Sequence, residues 1–245
     1  MIKIGLLGYT GRMGKLIAEE IAANDACVLA GGAVRPENYE KRAAEYKEAE
    51  GILITPKADE VIAISDVVVD FTLAGSVTDH ARLAATHKKP YMTGVTGLAP
   101  GTQDALKQAA AKIPVLYAPN TSLSLATMKQ IVSLASKLLS PFDYDISILD
   151  EHHRMKKDAP SGTAKALGEA VARGNNNAKT PSYASVRAGS IVGEHEVVLA
   201  GAGEVIRLRH SVTNRRVFAR GALQAALWLH SKPPGFYGMD DVVGI

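Results

Sequence analysis

Ile2-Lys3-Ile4-Gly5-Leu6-Leu7, then Gly8-Tyr9-Thr10-Gly11-Arg12-Met13-Gly14, then Lys15 to Ala23, is the stretch that decides the fold. The first run reads as a buried strand. The second is a glycine turn. The third carries Leu16, Ile17 and Ile21 at helical spacing. The glycines follow G-x-x-G-x-x-G, which differs from G-x-G-x-x-G in where the second glycine falls. The physics is shared: without side chains the backbone turns sharply and a pyrophosphate can approach the helix N-terminus. A plain tight turn is the competing reading.

Working outward, the same alternation repeats. Val28 to Val34 reads as a strand ended by Arg35-Pro36, and Ser65 to Phe71 as another, apolar through its centre. Val77 to His87 reads as helix, Pro90 to Thr93 as strand, Gln103 to Ala111 as helix and Pro114 to Ala118 as strand. Apolar runs separated by helices indicate parallel strands covered on both faces. Residues 1–120 are therefore expected to form a Rossmann-like, doubly wound parallel sheet that binds a dinucleotide.

Beyond Pro119 the pattern changes. Leu123 to Leu139 reads as a long helix, Asp145 to Asp150 as a half-buried strand and Ala164 to Arg173 as a helix. Strand patterns then recur at Ser182–Arg187, Glu196–Ala200 and Val205–Val212 with no helix between them. That indicates an α+β domain with a mixed sheet over residues 121–217. Phe218 to His230 returns to helix, Pro233-Pro234-Gly235 breaks it, and segment 218–245 is expected to pack back on the first domain.

Composition narrows the classes. The 245 residues are 47% hydrophobic and 22% charged with net charge +3, which suits a globular chain with a sizeable core. Aromatics at 5% and the lack of a long basic block argue against nucleic acid as a partner. No run approaches the roughly 18–20 apolar residues of a membrane span, and Lys3 and Gly8 interrupt any signal-peptide pattern. A cytoplasmic protein with no membrane partner is the expectation. The one cysteine, Cys27, excludes an internal disulfide and a Cys-based zinc cage.

An acidic residue about 20 positions after the glycine turn usually holds the ribose diol. Here the second strand ends in Arg35, which suits a 2′-phosphate and favours NADPH, with NADH the alternative. An exposed turn residue is the other reading of Arg35. Gly94-Val95-Thr96 and Ala118-Pro119-Asn120-Thr121 follow further strands, at the edge where open α/β sheets bind ligands.

The densest polar cluster runs from Asp150 to Ala164. His152 and His153 can carry a proton near neutral pH, and Lys156 can donate one. Ser161 or Thr163 can cap the helix that follows, and Gly162 leaves its N-terminus open to a carboxylate. A solvated charged loop is the alternative. No metal is expected, because adjacent histidines point apart and no third ligand has a telling spacing. His80, His87, His195, His210 and His230 lack such neighbours and read as surface or structurally satisfied residues.

Taken together these motifs resemble the 4-hydroxy-tetrahydrodipicolinate reductase (dihydrodipicolinate reductase) family of diaminopimelate and lysine biosynthesis. The resemblance runs nearly end to end. It is carried by Gly8–Gly14, Asp70-Phe71-Thr72, Gly94–Gly97, Glu151–Ala164 and Arg187–His195. It implies that His152 is a proton donor and acceptor, and Lys156 a proton donor. It implies that His153, Gly162 and Thr163 hold the carboxylates of a cyclic dicarboxylate substrate. Gly8, Tyr9, Thr10, Gly11, Arg12 and Met13 match the pyrophosphate loop. Gly94, Val95, Thr96, Ala118, Pro119, Asn120 and Thr121 match the other nucleotide contacts. A homotetramer is also implied, with residues 121–217 as the substrate-binding and oligomerisation domain. The chain departs from the family in having Arg35-Pro36 where Glu-Arg is common, and in a short stretch, Ala178 to Tyr183, where relatives carry a longer loop. A reductase of another small carboxylic acid, or a nucleotide sensor without turnover, are the rival functions.

Overall fold

In the computed structural model, residues 1–47 and 51–244 are described. They divide into two units, Met1–Ser122 with Phe218–Ile245, and Leu123–Val217.

The first unit is a parallel sheet clothed in helices. Its strands are β1 (Ile2–Leu7), β2 (Cys27–Ala33), β3 (Leu53–Thr55), β4 (Val67–Asp70), β5 (Tyr91–Thr93), β6 (Pro114–Tyr117) and, much later in the chain, β11 (Gly235–Tyr237). The sheet order is β11-β6-β5-β4-β1-β2-β3, and every pairing is parallel. Between α1 (Arg12–Ala22) and α5 (Pro100–Ala110) lie α2 (Pro36–Lys47), α3 (Ala58–Ile64) and α4 (Val77–Thr86). All four residues of β4 are fully buried, as a strand covered on both faces requires. Leu7, Val61, Val68, Tyr91, Leu106 and Val115 form the centre of its core.

Chain order reverses between β1 and β4, so a crevice opens beyond their carboxyl ends. Gly8 turns the chain there with φ +87. The helix that follows starts only because Gly14 carries no side chain: a Cβ would lie 2.2 Å from the Gly8 carbonyl oxygen.

The second unit is a four-stranded mixed sheet backed by two helices. The strands are β7 (Asp145–His152), β8 (Ser182–Arg187), β9 (Glu194–Gly201) and β10 (Glu204–Ser211), in the order β10-β9-β7-β8. β8 runs parallel to β7, and β9 antiparallel to both β7 and β10. The helices are α6 (Leu123–Leu139) and α7 (Gly162–Asn175). Their core joins Val132, Ile148, Leu167, Val171, Val197 and Leu199. Gly174 lets the helices close up, since a Cβ there would meet the Ser133 carbonyl oxygen at 2.1 Å.

The fold class expected from the sequence is the one found, but element detail differs. The sequence pattern predicts no element between Pro36 and Ile64, where α2, β3 and α3 stand. β3 has only three residues, and α2 is strongly polar, so neither projects a clear period. α8 (Arg216–Leu229) starts slightly earlier than expected. The stretch after Pro233-Pro234 is not merely a break: β11 hydrogen-bonds to β6 as a sheet edge, and α9 (Met239–Val242) follows. β7 runs on to His152 rather than stopping at Asp150.

Candidate active site

At the carboxyl edge of the parallel sheet lie two cavities of about 770 and 420 Å³ that share Arg12, Met13, Phe71, Thr72 and Leu73. Gly8, Thr10, Gly11, Ala33, Arg35 and Asn38 line the larger. Gly94, Val95, Thr96, Ala118, Pro119, Asn120 and Thr121 line the smaller, with Phe218 from α8. The structure thus gathers the cofactor-site residues named from sequence, except Tyr9. Its ring turns away and packs on Gly32, where a Cβ would meet Tyr9 Cγ at 2.7 Å. Arg35 is exposed just beyond the end of β2 and lines the larger cavity together with Glu37.

The sequence reading missed the support beneath this crevice. Asp70, fully buried at the end of β4, accepts from the Thr72 amide (2.8 Å), Thr72 hydroxyl (2.6 Å) and Tyr91 hydroxyl (2.6 Å), and pairs with His80 Nδ1 at 2.8 Å. Burial, then the nearby Asp70 charge, pushes the Tyr91 phenol well above its ordinary value. His80 itself lines the larger cavity. Only α4 brings His80 to Asp70.

In the second unit the site grows from strand register. β7 alternates, with Ile146, Ile148, Asp150 and His152 all inward. Its apolar face therefore ends in an acid and a histidine, and His152 Nδ1 lies 2.7 Å from Asp150 Oδ1. Register places Ser185 and Arg187 of β8 beside Asp150 and His152, and His195 of β9 opposite Asp150. Arg187 grips Asp150 with both terminal nitrogens, at 3.0 and 3.2 Å. Ser185 Oγ (2.7 Å) and the Ser161 amide (3.0 Å) also donate to Asp150.

Burial opposes charge on Asp150, yet these donors prevail and hold its carboxyl well below the usual carboxylate range. For His152 burial is the larger influence and lowers it from 6.5, against the pull of Asp150. His195 packs edge-on against His152 with centroids 5.1 Å apart, and its Nε2 lies 3.1 Å from Ser161 Oγ. Burial, then the charge of His152, brings His195 down to about 4. The expectation that His195 stands without functional company is therefore corrected: antiparallel pairing, invisible to local sequence, puts it on the His152 ring.

Ser161 caps α7 by accepting from the Ala164 amide at 3.1 Å. Gly162 is exposed, and a methyl group there would meet nothing within 4 Å, so the helix start is open to a ligand. Thr163, the next residue of the helix, and His153, just after β7, are both half-buried. Lys156 sits on the turn after β7, its amide bonded to the His153 carbonyl (3.1 Å) and its Nζ to Asp158 (2.9 Å). Asp150, His152 and His195 offer ligand atoms within 4.8 Å of one another. A cation fits poorly there, because Arg187 already occupies both Asp150 oxygens with a positive charge.

A parallel sheet with a glycine turn at its switch point, and a separate unit bearing a buried acid–histidine couple beside a lysine and an open helix start, define a nicotinamide-nucleotide-dependent oxidoreductase. Residues 2–121 match the family described as "Dihydrodipicolinate reductase, N-terminus", and 124–243 the corresponding "C-terminus". The chain belongs to the dihydrodipicolinate reductase family. It is 41% identical over 262 residues to the 4-hydroxy-tetrahydrodipicolinate reductase of Zymomonas mobilis, covering 100% of this chain and 98% of that one. To the enzyme of the same name from Thiobacillus denitrificans it is 34% identical, covering 100% and 99%. Its fold is similar to a dipicolinate-bound dihydrodipicolinate reductase from Paenisporosarcina (TM-score 0.84, 21% identity, covering 98% and 99%). Among the described residues no helix is long and apolar enough to cross a membrane.

Proposed function

We infer that this chain reduces 4-hydroxy-tetrahydrodipicolinate to tetrahydrodipicolinate, with loss of water, using NAD(P)H. The observation that carries the residue roles is His152, bound to a buried carboxylate at 2.7 Å and followed on the next turn by Lys156.

The first unit fits the nucleotide. Gly14 could not carry even a methyl group without meeting the Gly8 and Tyr9 carbonyls, at 2.2 and 2.7 Å, so the turn is as tight as a pyrophosphate cradle requires. Gly8, Gly11, Arg12 and Met13 would hold the phosphates, and Gly94–Thr96 and Ala118–Thr121 the remainder. When bound, the nucleotide supplies the hydride that ends at C4 of the substrate ring. Arg35 faces the cavity as a donor for a 2′-phosphate, which supports a preference for NADPH.

The second unit holds the substrate and moves its proton. Gly162 and Thr163 at the start of α7 receive a carboxylate of the cyclic dicarboxylate, and His153 serves the same binding. Loss of the 4-hydroxyl as water leaves a ring double bond conjugated to an imine. Reduction at C4 sends an electron pair toward the ring nitrogen and forms an enamine. The enamine must then gain a proton at carbon. His152, whose neutral resting state follows from burial, and Lys156, held beside Asp158, form the pair that delivers it. Association as a homotetramer is part of the same reading.

The test generates the substrate in situ from pyruvate and aspartate semialdehyde and follows nucleotide oxidation with NADPH and NADH in parallel. Oxidation that needs both substrate and protein is expected, faster at low nucleotide with NADPH. Arg35→Ala should raise KM for NADPH while leaving that for NADH unchanged. Folded protein that binds nucleotide but oxidises neither would overturn the activity. Equal KM changes for both nucleotides would overturn the role of Arg35.

A further inference from the structure

We propose that Asp150 and Arg187 are positioning residues for His152: Asp150 fixes which ring nitrogen carries the hydrogen, and Arg187 cancels the carboxylate charge so that the ring rests neutral. The proposal depends on the reading of His152 as the proton carrier.

The donor inventory at Asp150 is what compels the assignment. Its two oxygens receive Arg187 Nη1 and Nη2, the Ser161 amide, Ser185 Oγ and His152 Nδ1. A guanidinium and a backbone amide can only donate, so the carboxylate is an ionised acceptor. His152 Nδ1 must then carry a hydrogen and donate it to Asp150. Nε2 is left as the bare nitrogen. Gly193 packs beside it: a Cβ there would lie 3.2 Å from His152 Nε2, and glycine keeps that approach free of a side chain.

The charge arrangement follows from the same contacts. A buried carboxylate on its own would draw a proton to the imidazole and keep it as an imidazolium. Arg187 is bidentate on Asp150 and is fixed again at the Asp158 carbonyl, at 2.7 Å. The pair behind the ring therefore carries no net charge. The charged and titratable groups facing His152 are Asp150 on its own strand, Arg187 from β8, His195 from β9, and Lys156 from the following turn. Burial lowers His195, so it adds no charge at neutral pH, and Lys156 and Arg187 both oppose a second positive charge on the ring.

The experiment uses the full chain, varies NADPH and substrate in turn, and measures kcat and both KM values against pH. His152→Gln identifies the limb of the profile that belongs to His152, and the same comparison assigns its signals in ¹⁵N-histidine spectra. The wild type should show hydrogen on Nδ1 and a bare Nε2. Asp150→Asn, whose amide can present N–H to Nδ1, should reverse that pattern and lower kcat by about 10²-fold, with KM for NADPH unchanged. Arg187→Gln should move the His152 limb to higher pH, and Arg187→Lys, which keeps the charge but not the fork, should move it less. If Asp150→Asn does not fold, Ser185→Ala removes one donor only and should still move the limb upward. Lost activity with the limb and the nitrogen pattern unmoved would reduce these residues to scaffolding and overturn the proposal, as would unaltered kcat. An active His152→Gln would instead overturn the reading of His152 itself, and the proposal with it.

Discussion

Replacing His195 by glutamine should make the protein less sensitive to acid. His195 is 5% exposed, and burial carries it from 6.5 to about 4. Its protonated form is disfavoured in the folded state but not in the unfolded chain. Between those two pH values the unfolded chain holds a proton that the folded chain lacks, so stability falls as pH drops from about 6.5 to about 4 and levels off below. Each tenfold difference in proton affinity is worth about 1.4 kcal/mol, so this one residue should remove about 3 kcal/mol across the window. A typical folding free energy is only about 5–15 kcal/mol.

Glutamine can still reach Ser161 Oγ but cannot titrate. It should cost stability at neutral pH, and that deficit should shrink, or reverse, toward pH 4. His152 is also lowered but is present in both proteins, so it largely cancels in the comparison. Urea unfolding at fixed protein concentration reads the effect. With a slope of about 3 kcal/mol/M, the difference between the two midpoints should change by about 1 M over the window. Stability curves that run parallel from neutral pH to pH 4 would refute the argument, and would mean that His195 is protonated or hydrated in the folded protein.

Lys156→Ala should lower kcat by about 10²–10⁴-fold; circular dichroism should show the fold intact, because the Lys156–Asp158 pair is partly exposed and surface pairs contribute little. Gly14→Ala should cost roughly 1–3 kcal/mol or more and weaken nucleotide binding, since its Cβ meets backbone rather than a movable side chain; thermal unfolding and a nucleotide titration check both. Ile148→Ala, at a fully buried site in the core of the second unit, should cost about 2–5 kcal/mol in urea unfolding and leave NADPH binding to the first unit unaltered.

The long elements were legible because each carries its own period or punctuation. α6 was read to the residue, and the first strand, glycine turn and helix were recognised from a stretch of some 20 residues. β3 and β11 were not. Each is three residues long and is a strand only because a neighbour completes its hydrogen bonds. His152, His153, Lys156, Gly162 and Thr163 were selected because chemistry-bearing residues crowd into one segment. The Asp-x-His spacing puts Asp150 and His152 on one strand face, but the apolar alternation by itself predicts a strand that stops at Asp150.

What sequence alone determined is therefore what lies within one element or one turn: the alternation that builds a parallel sheet, the glycines that tighten its first turn, a helix cap at Ser161 or Thr163 and the presence of an acid–base segment. What only the tertiary structure decided is which distant residues share that segment's environment. Arg187 and His195 lie 37 and 45 positions from Asp150, and strand register alone brings them to the His152–Asp150 couple. The reason is physical. Backbone conformation is set by neighbours along the chain, but the protonation state of a buried histidine is set by charges in space, and those arrive only when the sheet has closed.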